Sequence, residues 1–377
     1  MKIAYLDLSS ISDPNAGYKK KIAKQAAALR SLGIEVTVLE IALSESGNES
    51  WKYSGSGIIK TIKRRKMLLD KCEELIISHK IDAIYARYPG GDSAFAKFAS
   101  KYGRLIITEH QSLELQEMRI NKMWLRYISE SIYGASLLRN VAGLVGVTKE
   151  ICDYEVKRSR DLNKHCLTNG NGIEVSSVPI RKIPVFDGKN LELLSVTQAA
   201  KWHGLDRLIC GIAENKNGTK VRLHIVGHGS EISVLKKLVS TLALERSVLF
   251  HGFKTGEELD AFFDKCHIAV GSLGLHRIGV SEGSILKVRE YCARGIPFIY
   301  GAMDSDFNEE FPYILRVPPD ESPIDLIAVF SFAAIALSDT EHSVKMREYA
   351  EENLDWSIKM KKLIDFMNEI LESKVRR

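Results

Sequence analysis

The stretch SEGSILKVREYCARGIP, residues 281–297, is the most informative part of this sequence. Its pattern predicts a helix over 284–294, because Gly295 is a typical helix end and Pro297 cannot continue a helix. The apolar run IPFIYG, residues 296–301, follows at once and predicts a buried strand. A helix that leads directly into a buried strand is the repeating unit of an α/β fold.

The same alternation runs through the whole chain. Short apolar runs, rich in β-branched residues, are separated by stretches long enough for a helix, such as Lys19–Leu32. The first half contains the runs 2–8, 36–42, 82–88, 105–110 and 142–148. The second half contains the runs 191–196, 221–227, 247–252, 267–272 and 296–301. Two such sets predict an α/β fold of two facing Rossmann-like domains, each with a parallel sheet.

The predicted domains are 1–180 and 181–352, followed by a C-terminal helix over 353–377. The boundary is expected within 175–190, which holds two prolines and shows no clear period. The tail from Asp355 is amphipathic and follows no further strand. We therefore expect this helix to cross back and pack on the first domain.

The composition is typical of a globular protein of two domains. The chain has 377 residues, of which 45% are apolar and 27% charged, an ordinary globular balance for two domains. The first residues lack the features of a signal peptide, and no window is apolar enough to span a membrane. The six cysteines are scattered without a Cys-x-x-Cys pair, which favours buried thiols in a reducing cytosol over disulfides or metal ligands.

The two halves differ in charge. Residues 1–184 carry 29 Lys and Arg against 20 Asp and Glu, a net +9, whereas the rest carries 24 against 28, a net −4. A basic half is compatible with nucleic acid, but no nucleic-acid-binding motif accompanies it. The charge asymmetry therefore indicates different partners for the two halves, and nucleic acid is not expected among them.

Glu282 and Glu290 flank the N-terminus of the predicted helix. At ~1.5 Å per residue, their carboxylates lie roughly 10–12 Å apart along the axis, about the span from a sugar across a diphosphate to a ribose. The free amides at a helix N-terminus suit a diphosphate, and Lys287 adds a positive charge. Two structural alternatives remain open: Glu282 complements the helix dipole, and Glu290 pairs with Arg294 at i+4.

These residues resemble a known family. The pattern Glu282-x7-Glu290, followed by a small-residue helix end, Gly-x-Pro and an apolar strand, is similar to the signature of family 4 glycosyltransferases, retaining enzymes of the GT-B fold. Four further segments resemble that family in the expected order, and Thr108-Glu-His110 falls where the family has a strand ending in histidine. The four segments are Thr168–Gly172, His203–Arg207, Leu223–Glu231 and Val248–Gly252.

The resemblance implies roles for individual residues. Glu290 would hold the ribose hydroxyls of a nucleotide-sugar donor, and Glu282 would lie near the donor sugar. The diphosphate would contact Gly283, Ser284, Ile285, Leu286 and Lys287. His110 would lie beside the donor sugar and orient it or the acceptor. No Asp-x-Asp motif of metal-dependent enzymes is present, so neither a metal nor another cofactor is expected.

The sequence departs from the family in two places. The family has an arginine and a lysine after the first strand of the donor domain, whereas here His203 occupies the lysine position and no arginine occupies the other. Lys201 is displaced by two residues, so phosphate binding is expected to rely on Lys287, the helix amides or Arg277. The glycine-rich loop after the first strand is reduced to Gly17, near Asn15.

The acceptor side is less defined. Arg87, at a strand end, is a candidate for reading an anionic acceptor or the diphosphate, and Asn15 is a second acceptor-side candidate. Lys60, Lys63, Arg64, Arg65 and Lys66 form a basic amphipathic segment that the lysines at 19, 20, 21 and 24 would extend. One interpretation is a peripheral contact with an anionic membrane, and the other is a solvated helix face.

The function expected from the resemblance is transfer of a hexose-type sugar from a UDP- or GDP-sugar to a glycan or lipid-linked acceptor. The setting would be bacterial polysaccharide or glycolipid biosynthesis in the cytoplasm, at the inner face of the plasma membrane if the basic segment touches it. A nucleotide-sugar epimerase of the same architecture is one alternative. A GT-B partner protein without catalytic activity is another.

Overall fold

The structure is a computed structural model that describes residues 1–8, 17–40, 58–216, 218–308 and 310–375, with the side chains of 58–61 and 373–375 left out. The chain forms two compact units. The first comprises Met1–Gly170 together with the C-terminal segment from Trp356, and the second comprises Asn171–Asp355.

The first unit is built around a six-stranded parallel sheet of order β2-β1-β3-β4-β5-β6. Its strands are β1 Lys2–Asp7, β2 Glu35–Glu40, β3 Ala83–Arg87, β4 Ile106–His110, β5 Gly143–Gly146 and β6 Cys166–Thr168. Its helices are α1 Gly17–Ser31, α2 Ile58–Ile77, α3 Ser93–Tyr102, α4 Glu114–Ile120, α5 Trp124–Asn140, α6 Lys149–Ser159 and the C-terminal α13 Trp356–Val375. The central strands are buried on both faces, which explains their continuous apolar sequences.

The helix α13 belongs to the core of the first unit. Its apolar side packs with Tyr5, Ile22 and Val145 in one buried cluster. The approach to β5 is close, because a Cβ atom on Gly143 would lie 2.6 Å from Ile370. The amphipathic tail therefore completes the first unit, as the predicted fold requires.

The second unit contains a parallel sheet of order β12-β11-β10-β7-β8-β9. Its strands are β7 Asn190–Gln198, β8 Lys220–His228, β9 Val248–Gly252, β10 Ile268–Val270, β11 Phe298–Tyr300 and β12 Ile314–Arg316. Its helices are α7 Leu205–Glu214, α8 Ile232–Thr241, α9 Gly256–Lys265, α10 Leu286–Arg294, α11 Leu326–Ser338 and α12 His342–Asn353.

The predicted α/β fold with two parallel sheets is confirmed. Every predicted strand is present, although Ile41 and Ala42 of the run 36–42 lie outside the described residues. The sequence missed β6 and β12, because these are three-residue edge strands whose side chains are only half-buried. In the part of the chain that the structure describes, no helix combines the length and apolar character needed to cross a membrane.

The boundary between the units lies at Gly170 and Asn171, ten residues before the predicted one. Arg181 shows why the intervening segment belongs to the second unit. Its buried guanidinium donates to the carbonyl of Gly295 at 3.0 Å and contacts His342 at 2.9 Å. At the other end, Leu354 is fully buried in the core of the second unit, so the C-terminal segment begins at Trp356 rather than at 353.

Candidate functional site

The carboxyl ends of β7, β10 and β11 meet at one edge of the second unit's sheet. Backbone hydrogen bonds tie the loops there together: Leu273 donates to His203 at 3.0 Å, and Gly301 donates to Ser272 at 2.9 Å. Gly204 must be a glycine, because its φ is +62° and a Cβ atom would lie 2.8 Å from the Gly274 nitrogen. This edge is where open parallel sheets bind their ligands.

The N-terminus of α10 opens at the same edge. Its preceding turn is fixed by Ser284, whose Oγ accepts the Asn171 amide at 2.7 Å and whose carbonyl accepts the Asn171 side chain. Ile285 is extended (φ −91°, ψ 125°), so the helix begins at Leu286, two residues later than predicted. Ile285 provides no capping side chain, which leaves the first amides available to an anion.

Lys287 lies in the first turn of α10. Part of its side chain is exposed, but its Nζ atom is buried and has no hydrogen-bond partner among the described residues. Burial lowers the pKa of this amine to about 7. A buried amine without a partner among the described residues, at a helix N-terminus, is suited to binding an anion.

His203 is the neutral neighbour of Lys287. Burial, and next the positive charge of Lys287, lower the pKa of His203 to about 2. Its Nδ1 accepts the Ala200 amide at 3.0 Å, so the neutral ring carries its proton on Nε2. Trp202 stacks on the ring with centroids 3.8 Å apart. The family's lysine is thus replaced by a neutral donor, while Lys201 nearby is exposed.

Glu290 and Glu282 both lie partly exposed, and their roles remain predictions. Oε1 of Glu290 accepts a hydrogen bond from Arg294 at 2.8 Å, which is the structural alternative left open by the sequence. Arg294 also donates a hydrogen bond to Asp260 at 2.7 Å. Glu282 lies where the chain pairs with Met303, and the following amide, of Gly283, donates to the Met303 carbonyl at 2.8 Å.

Arg277 forms hydrogen bonds with two carboxylates and a backbone carbonyl. Its guanidinium donates to both carboxylate oxygens of Asp206, to Glu321 and to the carbonyl of Lys201. To reach a diphosphate, this side chain would have to leave two carboxylates. The geometry therefore does not support the prediction that Arg277 replaces the missing arginine.

Tyr300 lies at the same edge of the sheet and was not among the predicted site residues. The ring is fully buried at the end of β11, and its hydroxyl has no partner among the described residues. Gly283 lies directly against it, since a Cβ atom there would be 2.4 Å from the hydroxyl oxygen. A tyrosine that ends an apolar strand just before a glycine was the available signal.

In the first unit, His110 ends β4 but is completely buried. Its Nε2 lies 2.9 Å from the Thr108 hydroxyl and its Nδ1 lies 3.0 Å from Glu114. Burial lowers its pKa, and the Tyr88 ring packs against it at a tilt of 30°, with 4.4 Å between the ring centroids. Both ring nitrogens are therefore occupied, which does not support the prediction that His110 orients a sugar.

His110, Glu114 and Glu155 bring ligand-type atoms within 4.8 Å of one another. A cation already occupies this cluster, because Arg158 donates to Glu155 at 2.9 Å and also to Glu130. Burial raises the pKa of Glu114 to about 7. We interpret the cluster as a buried ion network that fixes α4 and α6 beside β4.

A pocket of about 220 Å³ opens beyond the ends of β3 and β4. Arg87 lines it, partly exposed, with its guanidinium 5.2 Å from the Tyr18 ring. Gln111 also lines it, and its buried Nε2 has no partner among the described residues. Gly17 begins α1, and a Cβ atom there would meet no described residue within 4 Å, while Asn15 lies outside the described residues.

The predicted basic patch is only partly at the surface. Arg65 is buried and donates to backbone carbonyls, including that of Leu8 at 3.1 Å, while Lys60 is among the side chains not described. Lys19 is paired with Asp7 and Glu40, and Lys21 is buried beside Glu109 at 3.1 Å. Lys19 and Lys21 therefore form ion pairs within the unit, whereas Lys20 is exposed and Lys24 is partly exposed.

Part of the second unit resembles a known protein family. Residues 178–310, which cover the loops of β7, β10 and β11 and the helix α10, match the family described as glycosyl transferases group 1. No curated protein matches the chain in sequence.

Three solved structures illustrate the fold. A glycosyltransferase from Rickettsia africae is 12% identical with a TM-score of 0.67, and the match covers 98% of each chain. The lipopolysaccharide outer core galactosyltransferase WaaB is 16% identical with a TM-score of 0.67, over 99% of this chain and 100% of that one. Anabaena Alr3699/HepE in complex with UDP-glucose is 14% identical with a TM-score of 0.62, over 100% of both chains. At such identities the likeness establishes the GT-B fold.

Proposed function

We propose that this chain, a GT-B transferase with a group 1 glycosyl transferase domain, moves a hexose-type sugar from a nucleoside diphosphate sugar to a glycan or lipid-linked acceptor. Transfer would retain the anomeric configuration and need no divalent metal. The observation that carries the proposal is the buried amine of Lys287 at the N-terminus of α10, which has no hydrogen-bond partner in the described part of the chain.

An anion would relieve two costs at this site. Within the described ranges, the buried amine of Lys287 has no hydrogen-bond partner, and no side chain of the N-cap residue Ile285 caps the first amides of α10. A diphosphate would supply acceptors to both, with the Nε2 proton of His203 as a further donor beside Lys287.

The same groups suit the chemistry of transfer. When the glycosidic bond breaks, negative charge accumulates on the departing nucleoside diphosphate. Fixed donors that face this charge stabilise the transition state more than the ground state. Lys287, His203 and the amides of α10 would do so without a metal ion.

The proposed donor is a UDP- or GDP-sugar, and UDP is the first to test because Anabaena Alr3699/HepE binds UDP and UDP-glucose in its crystal structures. Glu290 would hold the ribose, with Oε1 shared with Arg294. Glu282, partly exposed just before Gly283, would lie near the sugar.

The acceptor would bind at the pocket of the first unit. Arg87 is partly exposed there, and the buried amide nitrogen of Gln111 has no acceptor among the residues that the structure describes. These groups fit an acceptor with an anionic or hydroxyl-rich group, such as the glycan of a lipid-linked intermediate. We accordingly place the enzyme in bacterial polysaccharide or glycolipid biosynthesis, on the cytoplasmic side of the plasma membrane.

Thermal-shift measurements with UDP, GDP, ADP and CMP, with and without EDTA, test the donor site. One diphosphate should raise the melting temperature of the wild type in the presence of EDTA, and Lys287→Ala should remove this shift. Lys237→Ala is the matched control, because Lys237 is an exposed lysine of α8.

The other outcomes discriminate between functions. A shift that EDTA abolishes would contradict metal independence, and no shift with any nucleotide would favour a non-catalytic partner protein. Conversion of the nucleotide sugar to an isomer without acceptor would identify an epimerase. The anomeric configuration of the product, read by proton NMR, tests retention.

A further inference from the structure

The helix α5 exposes a row of large apolar side chains. The exposed fractions are 55% for Trp124, 66% for Leu125, 53% for Ile128 and 62% for Ile132. Ile120, at the end of α4, is exposed as well. Single exposed apolar residues are ordinary, but a contiguous group of this size marks a binding surface.

The four positions on α5 lie on one side of the helix. At ~100° per residue they fall within an arc of about 100°, and they extend over roughly 12 Å of the axis. The opposite side carries Glu130, Gly134, Leu137 and Leu138, all of them buried in the first unit. One side of α5 therefore anchors the helix, and the other presents what we call the α5 apolar face: Ile120, Trp124, Leu125, Ile128 and Ile132.

The exposed charges around this face are mostly positive. Arg119, Lys122 and Arg126 are exposed between or beside its members. Glu117 on α4 is an exposed carboxylate that interacts electrostatically with Arg126, whereas Glu130 is buried and paired with Arg158. Over residues 117–132 the exposed cations therefore outnumber the exposed carboxylates by three to one. A helix with an apolar side and flanking cations is suited to the interface of an anionic bilayer.

Like charges disfavour a second copy of this chain as the occupant. Two α5 apolar faces placed together would bring two sets of the same three cations into contact. Anionic lipid headgroups, in contrast, would pair with Arg119, Lys122 and Arg126 while the acyl region accepts the apolar side chains.

The face borders the pocket of the first unit. Met123 and Arg126, at the start of α5, line that pocket together with Arg87. A membrane docked on α5 would therefore lie next to the pocket, where an acceptor carried on a lipid could enter.

We propose that the α5 apolar face is a membrane-docking surface for anionic bilayers. It differs from the basic segment of α2 that the sequence indicated. The inference does not depend on the proposed sugar transfer, because docking is measured without donor or acceptor.

Co-sedimentation with phosphatidylglycerol vesicles and with phosphatidylcholine vesicles tests the proposal on the full chain. The wild type should bind the anionic vesicles preferentially, and Leu125→Glu combined with Ile128→Glu should weaken this binding about tenfold or more, since two apolar side chains no longer enter the bilayer. Ile327→Glu combined with Ile335→Glu is the matched control, because both isoleucines are equally exposed on α11 of the second unit.

A second measurement locates the contact. Brominated lipids should quench tryptophan fluorescence on docking, and Trp124→Phe should remove most of this quenching while the protein still binds. Unchanged melting temperatures would show that the variants fold.

Three results would overturn the proposal: no binding of the wild type to anionic vesicles, equal binding by the α5 variant, or quenching that persists in Trp124→Phe. A concentration-dependent dimer in light scattering that Leu125→Glu with Ile128→Glu dissociates would also overturn it, by assigning the face to a second copy of this chain.

Discussion

Both carboxylate oxygens of Asp206 accept hydrogen bonds from Arg277, at 2.8 and 2.7 Å. Asp206 lies in the first turn of α7, and Arg277 lies in the loop that precedes α10. The same guanidinium bonds Glu321 and the carbonyl of Lys201. Arg277 thus joins three loops at the edge of the second unit's sheet.

Arg277→Gln should therefore act mainly on stability. Losing a bidentate, partly buried ion pair should lower the free energy of unfolding by about 1–3 kcal/mol in urea titrations. The affinity for UDP, measured by calorimetry, should fall much less than in Lys287→Ala. Unchanged stability with a loss of UDP binding as large as that of Lys287→Ala would instead assign Arg277 to the diphosphate.

The buried amine of Lys287 should make stability depend on pH. Its pKa is about 7 in the folded protein and near 10.5 when unfolded. Between these values only the unfolded chain binds the proton, so the free energy of unfolding should rise with pH across this window. Below about pH 7 the amine is charged in both states, and its burial cost is fully present.

The comparison with Lys287→Met isolates this effect from other titrating groups. The variant should be more stable than the wild type by ~2–4 kcal/mol near pH 7, and the difference should shrink toward pH 9. Saturating UDP should flatten the slope in the wild type, because a bound diphosphate raises the pKa of the amine. Parallel stability curves for the two proteins from pH 6 to 9 would contradict the buried-amine account.

Glu290 has two candidate partners, the ribose of a donor and Arg294. If it holds the ribose, the wild type should bind UDP more tightly than 2′-deoxy-UDP, by about tenfold for one charged hydrogen bond. Glu290→Ala should lose most of this preference and should lower stability by only about 0.5 kcal/mol. An undiminished preference in Glu290→Ala would leave the residue as a helix ion pair alone.

Much of the fold could be predicted because parallel strands that are buried on both faces leave continuous apolar runs, as in β1 and β11. The edge strands β6 and β12 leave no such run. The observed domain boundary differs from the predicted one because Arg181 is buried in the second unit, where it contacts residues more than 80 positions away along the chain. A local pattern cannot show partners at that distance.

The candidate site was also predictable only in part from the sequence. The position of Lys287 in the first turn of α10 followed from helix signals, but its lack of a partner depends on the folded loops around it. Likewise, Arg277 was predicted to be free to bind phosphate because its two carboxylate partners, Asp206 and Glu321, are 71 and 44 residues away along the chain. Glu114, four residues after His110, was a nearer signal that this histidine is paired.

His110 provides the last test. Its two ring nitrogens meet Thr108 and Glu114 in a fully buried setting, so His110→Ala should leave these partners unsatisfied. The free energy of unfolding should fall by about 1–3 kcal/mol. The exposed His165 offers the control, and His165→Ala should change stability little.

Activity decides between the two roles of His110. At a temperature where His110→Ala remains folded, its donor hydrolysis should stay within a few-fold of the wild type, because the ring has no nitrogen free for a sugar. A well-folded variant with unchanged stability and a large loss of turnover would show that the histidine contacts the substrate. In that case the ion network around Arg158 would have to rearrange when the donor binds.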